Sequence, residues 1–248
     1  MRGTAILAAS MLVLATAGCS AGARDGDGQA EQQARPTARR DFQVGQFQSL
    51  SLTGLSDVNV VVGGAPSVRA EGDAEMIERL EIAVVDGDLR IGFKDGSSLR
   101  SMFGRHRTVT VHVTVPSLAA ANLTGSGDIS IDRVQGERFA GSITGSGDIK
   151  VGAMRVGEAA FNLSGSGEIQ AAGTAQRTAV SLTGAGDIEL GRLESRTMTI
   201  SLMGPGDVNA RATETAQVSL MGPGDVTISG PARCQIEHRG PGNVRCNA

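Results

Sequence analysis

The sequence predicts an all-β chain: a β-helix-like solenoid of short, Gly-rich repeats preceded by a β-rich N-terminal segment. Three observations predict it. First, one phrase recurs seven times, as Leu123-Thr-Gly-Ser-Gly-Asp-Ile129, Ile143-Thr-Gly-Ser-Gly-Asp-Ile149, Leu163-Ser-Gly-Ser-Gly-Glu-Ile169, Leu182-Thr-Gly-Ala-Gly-Asp-Ile188, Leu202-Met-Gly-Pro-Gly-Asp-Val208, Leu220-Met-Gly-Pro-Gly-Asp-Val226 and, degenerately, His238-Arg-Gly-Pro-Gly-Asn-Val244. Steps of 18 to 20 residues at near-constant phase mark a solenoid, in which each copy buries its apolar face only against its neighbours. Second, Gly is 35 of 248 residues, Trp and Tyr are absent and only six Phe occur, which suits thin rungs filled by Ile, Val, Leu and Ala. Third, apolar residues alternate with period two from Phe42 onward, the spacing of half-buried strands.

The N-terminus stands outside this pattern. Arg2 precedes an apolar stretch from Ala5 to Ala17 that is too short and too small in side-chain volume to span a membrane, so residues 1–18 read as a signal peptide. Two processing sites fit. Thr16-Ala17-Gly18-Cys19 resembles a bacterial lipobox, with Thr16 where Leu is usual, and would leave a lipidated Cys19 as the new N-terminus. Ala15-x-Ala17 fits an ordinary signal-peptidase site and would give a soluble periplasmic or secreted protein.

Cysteine arithmetic favours the first. An exported chain with Cys at 19, 234 and 246 has an odd thiol, and lipidation of Cys19 removes it. Cys234 and Cys246 then remain as a pair bracketing the last repeat, where a disulfide would contribute about 2–3 kcal/mol by constraining the unfolded chain. Two buried free thiols are the alternative. Residues 19–41 read as a flexible tether, because the run from Ser20 to Arg40 holds no aliphatic residue larger than Ala. In an envelope with two membranes, Ser20 after the Cys would not retain the protein at the inner one. The expected location is the outer membrane, facing the periplasm.

Residues 42–248 form a single folded domain, with N-terminal strands over 42–117 and repeats over 118–248. Val58, Val60 and Val62 alternate in a strand bounded by Gly54 and Gly63-Gly64. Met76, Ile77 and Leu80 recur at helical spacing behind Asp73, a suitable N-cap for one short helix. Glu81–Val85 and Leu89–Phe93 flank Asp86-Gly87, the signature of a hairpin with a type I′ turn. Val109, Val111, Val113 and Val115 then lie on one face of a strand that Pro116 ends.

Within a repeat, Leu123 points inward, Gly-Ser-Gly turns the chain, and Ile129 and Ile131 point inward again. Each copy is expected to give two short strands joined by a glycine corner, with a more variable return such as Arg133–Phe139. The inner row at 129, 131, 149, 151, 169, 188 and 190 is apolar throughout, as a dry core requires. Pro205, Pro223 and Pro241 in the last three corners would fix φ and stiffen the end of the stack.

The outward column Asp128, Asp148, Glu168, Asp187, Asp207 and Asp225 raises the question of calcium. Calcium-binding β-rolls use Gly-Gly-x-Gly-x-Asp nonapeptides, and both the Asp position and the period differ here. Stacked about 4.8 Å apart in water, neighbouring carboxylates repel by only about 0.9 kcal/mol, and each can accept amide hydrogen bonds from its own turn. The column therefore reads as structural turn-capping, with no metal or cofactor required.

Catalytic patterns are lacking in the sequence. His106 and His238 fall in basic loop contexts and His112 at an outward strand position, none with a spaced partner for a triad or metal. Ser126, Ser146 and Ser166 lie in Gly-x-Gly corners without the strand-to-helix context of a hydrolase, and Gly-Ser-Gly lacks the Lys of a phosphate loop. Formal charge is −3 with both signs dispersed, which argues against a nucleic-acid partner. Arg100, Arg105, His106 and Arg107 make one local basic cluster, a solvated loop or a contact for anionic lipid headgroups or glycan.

The serial Leu-Thr-Gly-Ser-Gly-Asp-Ile phrase, preceded by Thr108-Val-Thr-Val-His-Val-Thr-Val-Pro116 and Asp57-Val-Asn-Val60, resembles the head GIN domain family of putative auto-transporter adhesins over residues 42–245. The resemblance implies a right-handed, parallel β-helix-like solenoid and supplies no catalytic residues. The expected function is that of a non-enzymatic, lipid-anchored envelope protein binding glycan or an envelope protein along its side face. The alternatives are an enzyme acting on envelope polysaccharide, for which paired acids in a groove are the sign, and a purely structural lipoprotein.

Overall fold

The computed structural model describes residues 37–94 and 109–247, which form a β-solenoid of about six turns. Its body runs through β8 (Ala120–Gly125), β9 (Ile129–Gly145), β10 (Asp148–Gly165), β11 (Glu168–Gly184), β12 (Asp187–Met203) and β13 (Asp207–Met221), paired in parallel, each with the next. From β9 onward each coil is strand from one corner to the next. The sequence pattern predicts two short strands and a more variable return. The return is strand too, because Val134, Phe139, Met154 and Val156 give it an inward face and the neighbouring coils give its backbone partners. The last turn is broken into β14 (Asp225–Ser229), β15 (Arg233–Arg239) and β16 (Asn243–Asn247).

Inside the stack, like residues form continuous columns. Leu123, Ile143, Leu163, Leu182, Leu202 and Leu220 stack on one side of the corners, and Ile129, Ile149, Ile169, Ile188, Val208 and Val226 on the other, all buried. Fully burying each such side chain is worth about 1.5–3 kcal/mol. The buried Phe139 and Phe161 rings pack at 6.4 Å between centroids.

At the corners the backbones themselves touch. Gly145 takes φ +136°, and a methyl added there would overlap the Gly125 carbonyl oxygen. Gly147 has an ordinary φ, yet a methyl there would overlap the Gly127 oxygen. Two glycines are thus needed for two reasons, conformation at the first and close approach at both.

The stack begins earlier than the repeat suggested. In β2 (Ser49–Gly54) and β3 (Asp57–Val62), Leu52-Thr-Gly-Leu-Ser-Asp-Val58 lies in register with Leu123–Ile129: Leu52 pairs with Leu123, Gly54 with Gly125 and Val58 with Ile129. This first corner is disguised by Leu55-Ser56 in place of Ser-Gly. A Cβ added at Gly54 would meet the Phe93 ring at 3.4 Å rather than another corner, and Ser56 is buried, its hydroxyl without a hydrogen-bond partner among the described residues.

The intervening residues cap the N-terminal end. β4 (Ser67–Asp73) runs antiparallel to β7 (Val109–Val115), and α1 (Ala74–Arg79) buries Met76 and Ile77, with the Asp73 carboxylate accepting from the Glu75 and Met76 amides. β5 (Leu80–Val85) and β6 (Asp88–Phe93) form the expected hairpin, with positive φ at both Asp86 and Gly87. β1 (Thr37–Phe42) adds antiparallel to β4 and occupies the end of the stretch expected to be tether. Backbone pairing, the packing of Ala38 and Phe42 against the core, and the ion pairs Arg39–Glu71 (2.6 Å) and Arg69–Asp41 (2.7 Å) hold it.

At the other end a Cys234–Cys246 disulfide joins β15 to β16, with the Cα atoms 6.5 Å apart. His238 is on a strand and not in a loop: it pairs with Leu220, so the inward Leu column ends in an exposed, polar ring.

Replacing Gly147 by Ala should cost about 1–3 kcal/mol through this overlap, whereas Gly136→Ala in the same coil, where nothing lies within 4 Å, should stay within about 0.5 kcal/mol of the parent. Urea unfolding of the two variants makes the comparison.

Candidate binding face

Two outward surfaces flank the corners. The one after the corners carries the repeated acids, whose role is specific. The Asp148 amide donates to Asp128 Oδ1 (3.0 Å) and the Glu168 amide to Asp148 Oδ1 (3.1 Å). The same bond joins Asp128 to Asp57 (3.3 Å), Asp207 to Asp187 (3.2 Å), Asp225 to Asp207 and Asn243 to Asp225 (both 2.9 Å). Each carboxylate thus accepts from the following coil, rather than from its own turn as expected, and ties one coil to the next. Glu168 interrupts the series. Its longer side chain reaches Gln170 Nε2 (2.6 Å), and the Asp187 amide turns to the Gly167 carbonyl (3.1 Å). Burial raises the Asp57 carboxyl above the ordinary Asp value; the Asp128 amide opposes that rise and the Asp128 charge adds to it. Among the described residues no three His, Cys, Asp or Glu side chains converge as a metal site requires.

The surface before the corners is of another kind. On β2, β8, β9, β10, β11, β12 and β13 the outward residues form three columns. One reads Ser49, Ala120, Ala140, Ala160, Ala179, Thr199, Gln217; the next Ser51, Asn122, Ser142, Asn162, Ser181, Ser201, Ser219; the third Thr53, Thr124, Thr144, Ser164, Thr183, Met203, Met221. None is charged over six strand steps, about 29 Å. Charge returns at both borders, at Asp88 and Arg90 on β6 and at Glu237 and Arg239 on β15.

Along one margin lies a groove of about 520 Å³ lined by Ala119, Ala140, Ala160 and Ala179. Its rim is a ladder of charge: Glu158 bridges Arg138 (2.9 Å) and Arg177 in the adjoining coils. Hydrogen bonding from Arg177, then the Arg138 charge, holds the Glu158 carboxyl below its ordinary value. Thr178 of the lining and Ser195 share a buried hydroxyl–hydroxyl bond. Sequence reasoning missed the groove, because its residues sit in the variable return and only the register brings 138, 158 and 177 together. Of the other sequence candidates, Ser126, Ser146 and Ser166 are exposed corners whose amides donate to the preceding coil, and His112 is exposed on β7. Cys19, Arg100, Arg105, His106 and Arg107 lie outside the described residues.

A family model described as "putative auto-transporter adhesin, head GIN domain" matches residues 46–232. The chain belongs to the head GIN domain family. Solved structures share the fold. A putative adhesin from Bacteroides fragilis NCTC 9343 is 21% identical, with 86% of this chain and 98% of that one covered at a TM-score of 0.77. A putative lipid binding protein from Parabacteroides distasonis ATCC 8503 is 18% identical, covering 86% and 97% at 0.68. A putative adhesin from the same strain is 20% identical, covering 86% and 98% at 0.62. No curated protein matches in sequence. The head GIN match begins at residue 46, so it takes in the disguised first corner as well as the visible repeats.

The acid ladder makes a graded prediction. Asp148→Ala, which strands the Glu168 amide, should lose about 0.5–1.5 kcal/mol, and Asp148→Asn, which keeps an acceptor, should lose less. Glu168→Asp should gain stability by restoring the missing bond. Chemical denaturation of the three variants reads all of these.

Proposed function

We propose that this head GIN protein is an exported, lipid-anchored envelope protein that binds an uncharged, hydroxyl-rich polysaccharide on the side face before the corners. The observation that carries the reading is the charge-free surface over seven strands, bounded by charge at both ends. A partner with its own charges gains nothing there, while Ser, Thr and Asn groups repeated every 4.8 Å or so offer hydrogen bonds to a linear neutral chain. The Ala lining admits an apolar sugar face, and the Arg138–Glu158–Arg177 rim supplies fixed donors and an acceptor, within the usual volume range of ligand sites.

A non-enzymatic role is supported by the composition of that groove. Its lining has one carboxylate, Glu158, tied to two arginines, whereas glycoside hydrolysis by the usual route needs two carboxyl groups across the scissile bond. For the location, the adhesin family and the signal-like N-terminus support export, and the lipobox-like Thr16–Cys19 supports an anchor at Cys19 in the outer membrane. Among the described residues, no helix is long and apolar enough to cross a membrane.

A glycan array probed with the mature chain should show neutral polysaccharide binding that falls at least tenfold in Ala160→Trp, with Gln170→Trp on the opposite surface unaffected. Failure of any neutral glycan to bind, or equal binding by both variants, would reject this face. For the anchor, cells fed a radioactive fatty acid should label the parent chain and not Cys19→Ala; an unlabelled parent leaves a soluble exported protein.

A further inference from the structure

Charge in the repeat array is sorted by face. The surface after the corners is acidic: it carries the column from Asp128 to Asp225 together with Glu189, against two cations, Lys150 and Arg245. Register shifts at Val151–Met154, Gln170–Ala172 and Leu190–Glu194 follow that surface and set the return off as a face of its own. On the return every coil presents an arginine. Arg138, Arg155, Arg177, Arg196 and Arg211 take their places on β9 to β13 and Arg233 on β15, all of them exposed.

Bonds within the molecule leave opposite charges unspent on these two faces. The carboxylate ladder uses only Oδ1 of Asp128, Asp187, Asp207 and Asp225, and among the described residues no lysine or arginine pairs with these four. Asp148 differs, because its Oδ2 holds Lys150 at 3.2 Å. On the return the reverse holds. Asp132, Glu158, Glu194 and Glu214 are each bonded to an arginine of their own face, with Glu158 shared between two. Arg155 and Arg192, both exposed, have no carboxylate among the described residues, and Glu137 is the one acid there without an arginine.

The two faces also share a ruler. Parallel pairing places successive coils about 4.8 Å apart, so the carboxylates and the arginines recur at one spacing along the stack axis. A partner for the acidic face needs cations at that repeat, and a partner for the return needs anions at it. A second copy of this chain supplies both. When two stacks lie side by side and parallel, one match of carboxylate to arginine brings the neighbouring coils into match as well.

We propose that the acidic face of one molecule packs against the return face of a second, with the stacks parallel. The free carboxylate oxygens of Asp187, Asp207 and Asp225 receive the guanidinium groups of Arg155, Arg192 and their neighbours. Each exposed ion pair contributes little by itself, so the association depends on several forming in register, and salt weakens it. Each molecule carries one face of each kind. The contact is therefore heterologous and repeats from copy to copy, giving rows or rings of laterally joined solenoids. It leaves the side face before the corners uncovered.

The test uses the mature chain and two variants that spare the carboxylate ladder and the groove rim. Glu189→Lys with Asn209→Lys and Thr227→Lys offsets the acidic face; Arg155→Glu with Arg192→Glu reverses the return. In sedimentation velocity at low salt the parent should form a concentration-dependent series of oligomers, which about 1 M salt disperses by screening charges within about 3 Å. Each variant alone should associate at least tenfold more weakly. An equal mixture should give a 1:1 dimer and nothing larger, because one intact acidic face meets one intact return. A parent that stays monomeric in low salt at its highest soluble concentration overturns the proposal. So does association that survives high salt, either variant assembling like the parent, or a mixture that remains monomeric. Should a variant lose the parent melting temperature, Asp207→Asn with Asp225→Asn, which keeps an acceptor, and Arg155→Gln with Arg192→Gln take their places, and undiminished association in either is equally decisive.

Discussion

Everything in this structure depends on how closely one peptide group can lie on another at the glycine corners. A Cβ at Gly147 would occupy the space of the Gly127 carbonyl oxygen, and the same holds down the stack through Gly167, Gly186, Gly206, Gly224 and Gly242. Coil spacing is therefore set by backbone against backbone, and side chains fill in around it. Once that contact is fixed, the columns follow: Leu upon Ile upon Leu inside, carboxylate upon amide outside. The carboxylate ladder reinforces the same spacing, because an Asp side chain has the length to reach the next coil's amide and Glu168 does not use its own that way.

Most of the solenoid was legible because this contact leaves a chemical trace. Glycine is the one residue that can make it, so the repeat was visible at every corner that rests on another. The first corner was illegible for the same reason: a Cβ at Gly54 meets the Phe93 ring and no earlier corner, and with Leu55-Ser56 in place of Ser-Gly the phrase lost its signature. The last corner was legible as a copy but not as an end, since His238 in a Leu column declares itself only once the register is known. The continuous strand of the return was also hidden. Its inward residues, such as Val134 and Phe139, differ from coil to coil, and what makes them strand is the neighbour's backbone rather than any local pattern. The groove was least legible of all, being a relation among Arg138, Glu158 and Arg177, residues 19 or 20 apart that share no motif.

The division of labour within a coil explains how one fold carries different surfaces. The inward columns beside the corners and the corner glycines vary little, whereas outward positions outside the carboxylate ladder and the groove rim vary more freely. The chain uses that freedom in blocks: ion pairs along the groove rim, hydroxyls and amides over the side face, thioethers and prolines at the final corners. The open end is treated differently again. Among the described residues no further coil pairs with β15 and β16, and Arg233, Glu237, Arg239 and Arg245 place charge on these strands, which opposes indiscriminate strand pairing.

The split first coil bears on the order in which the molecule assembles. Successive corners in the repeat array close loops of 18 to 20 residues, but the Asp57–Asp128 contact closes one of 71. Closing the longer loop costs about 1 kcal/mol more in chain entropy, before the helix, hairpin and antiparallel strands inside it have formed. Nucleation therefore belongs to the later coils, where adjacent copies meet cheaply, and the N-terminal coil with its cap condenses onto a stack that already exists. In an exported chain, the part that leaves the membrane first is the part that folds last.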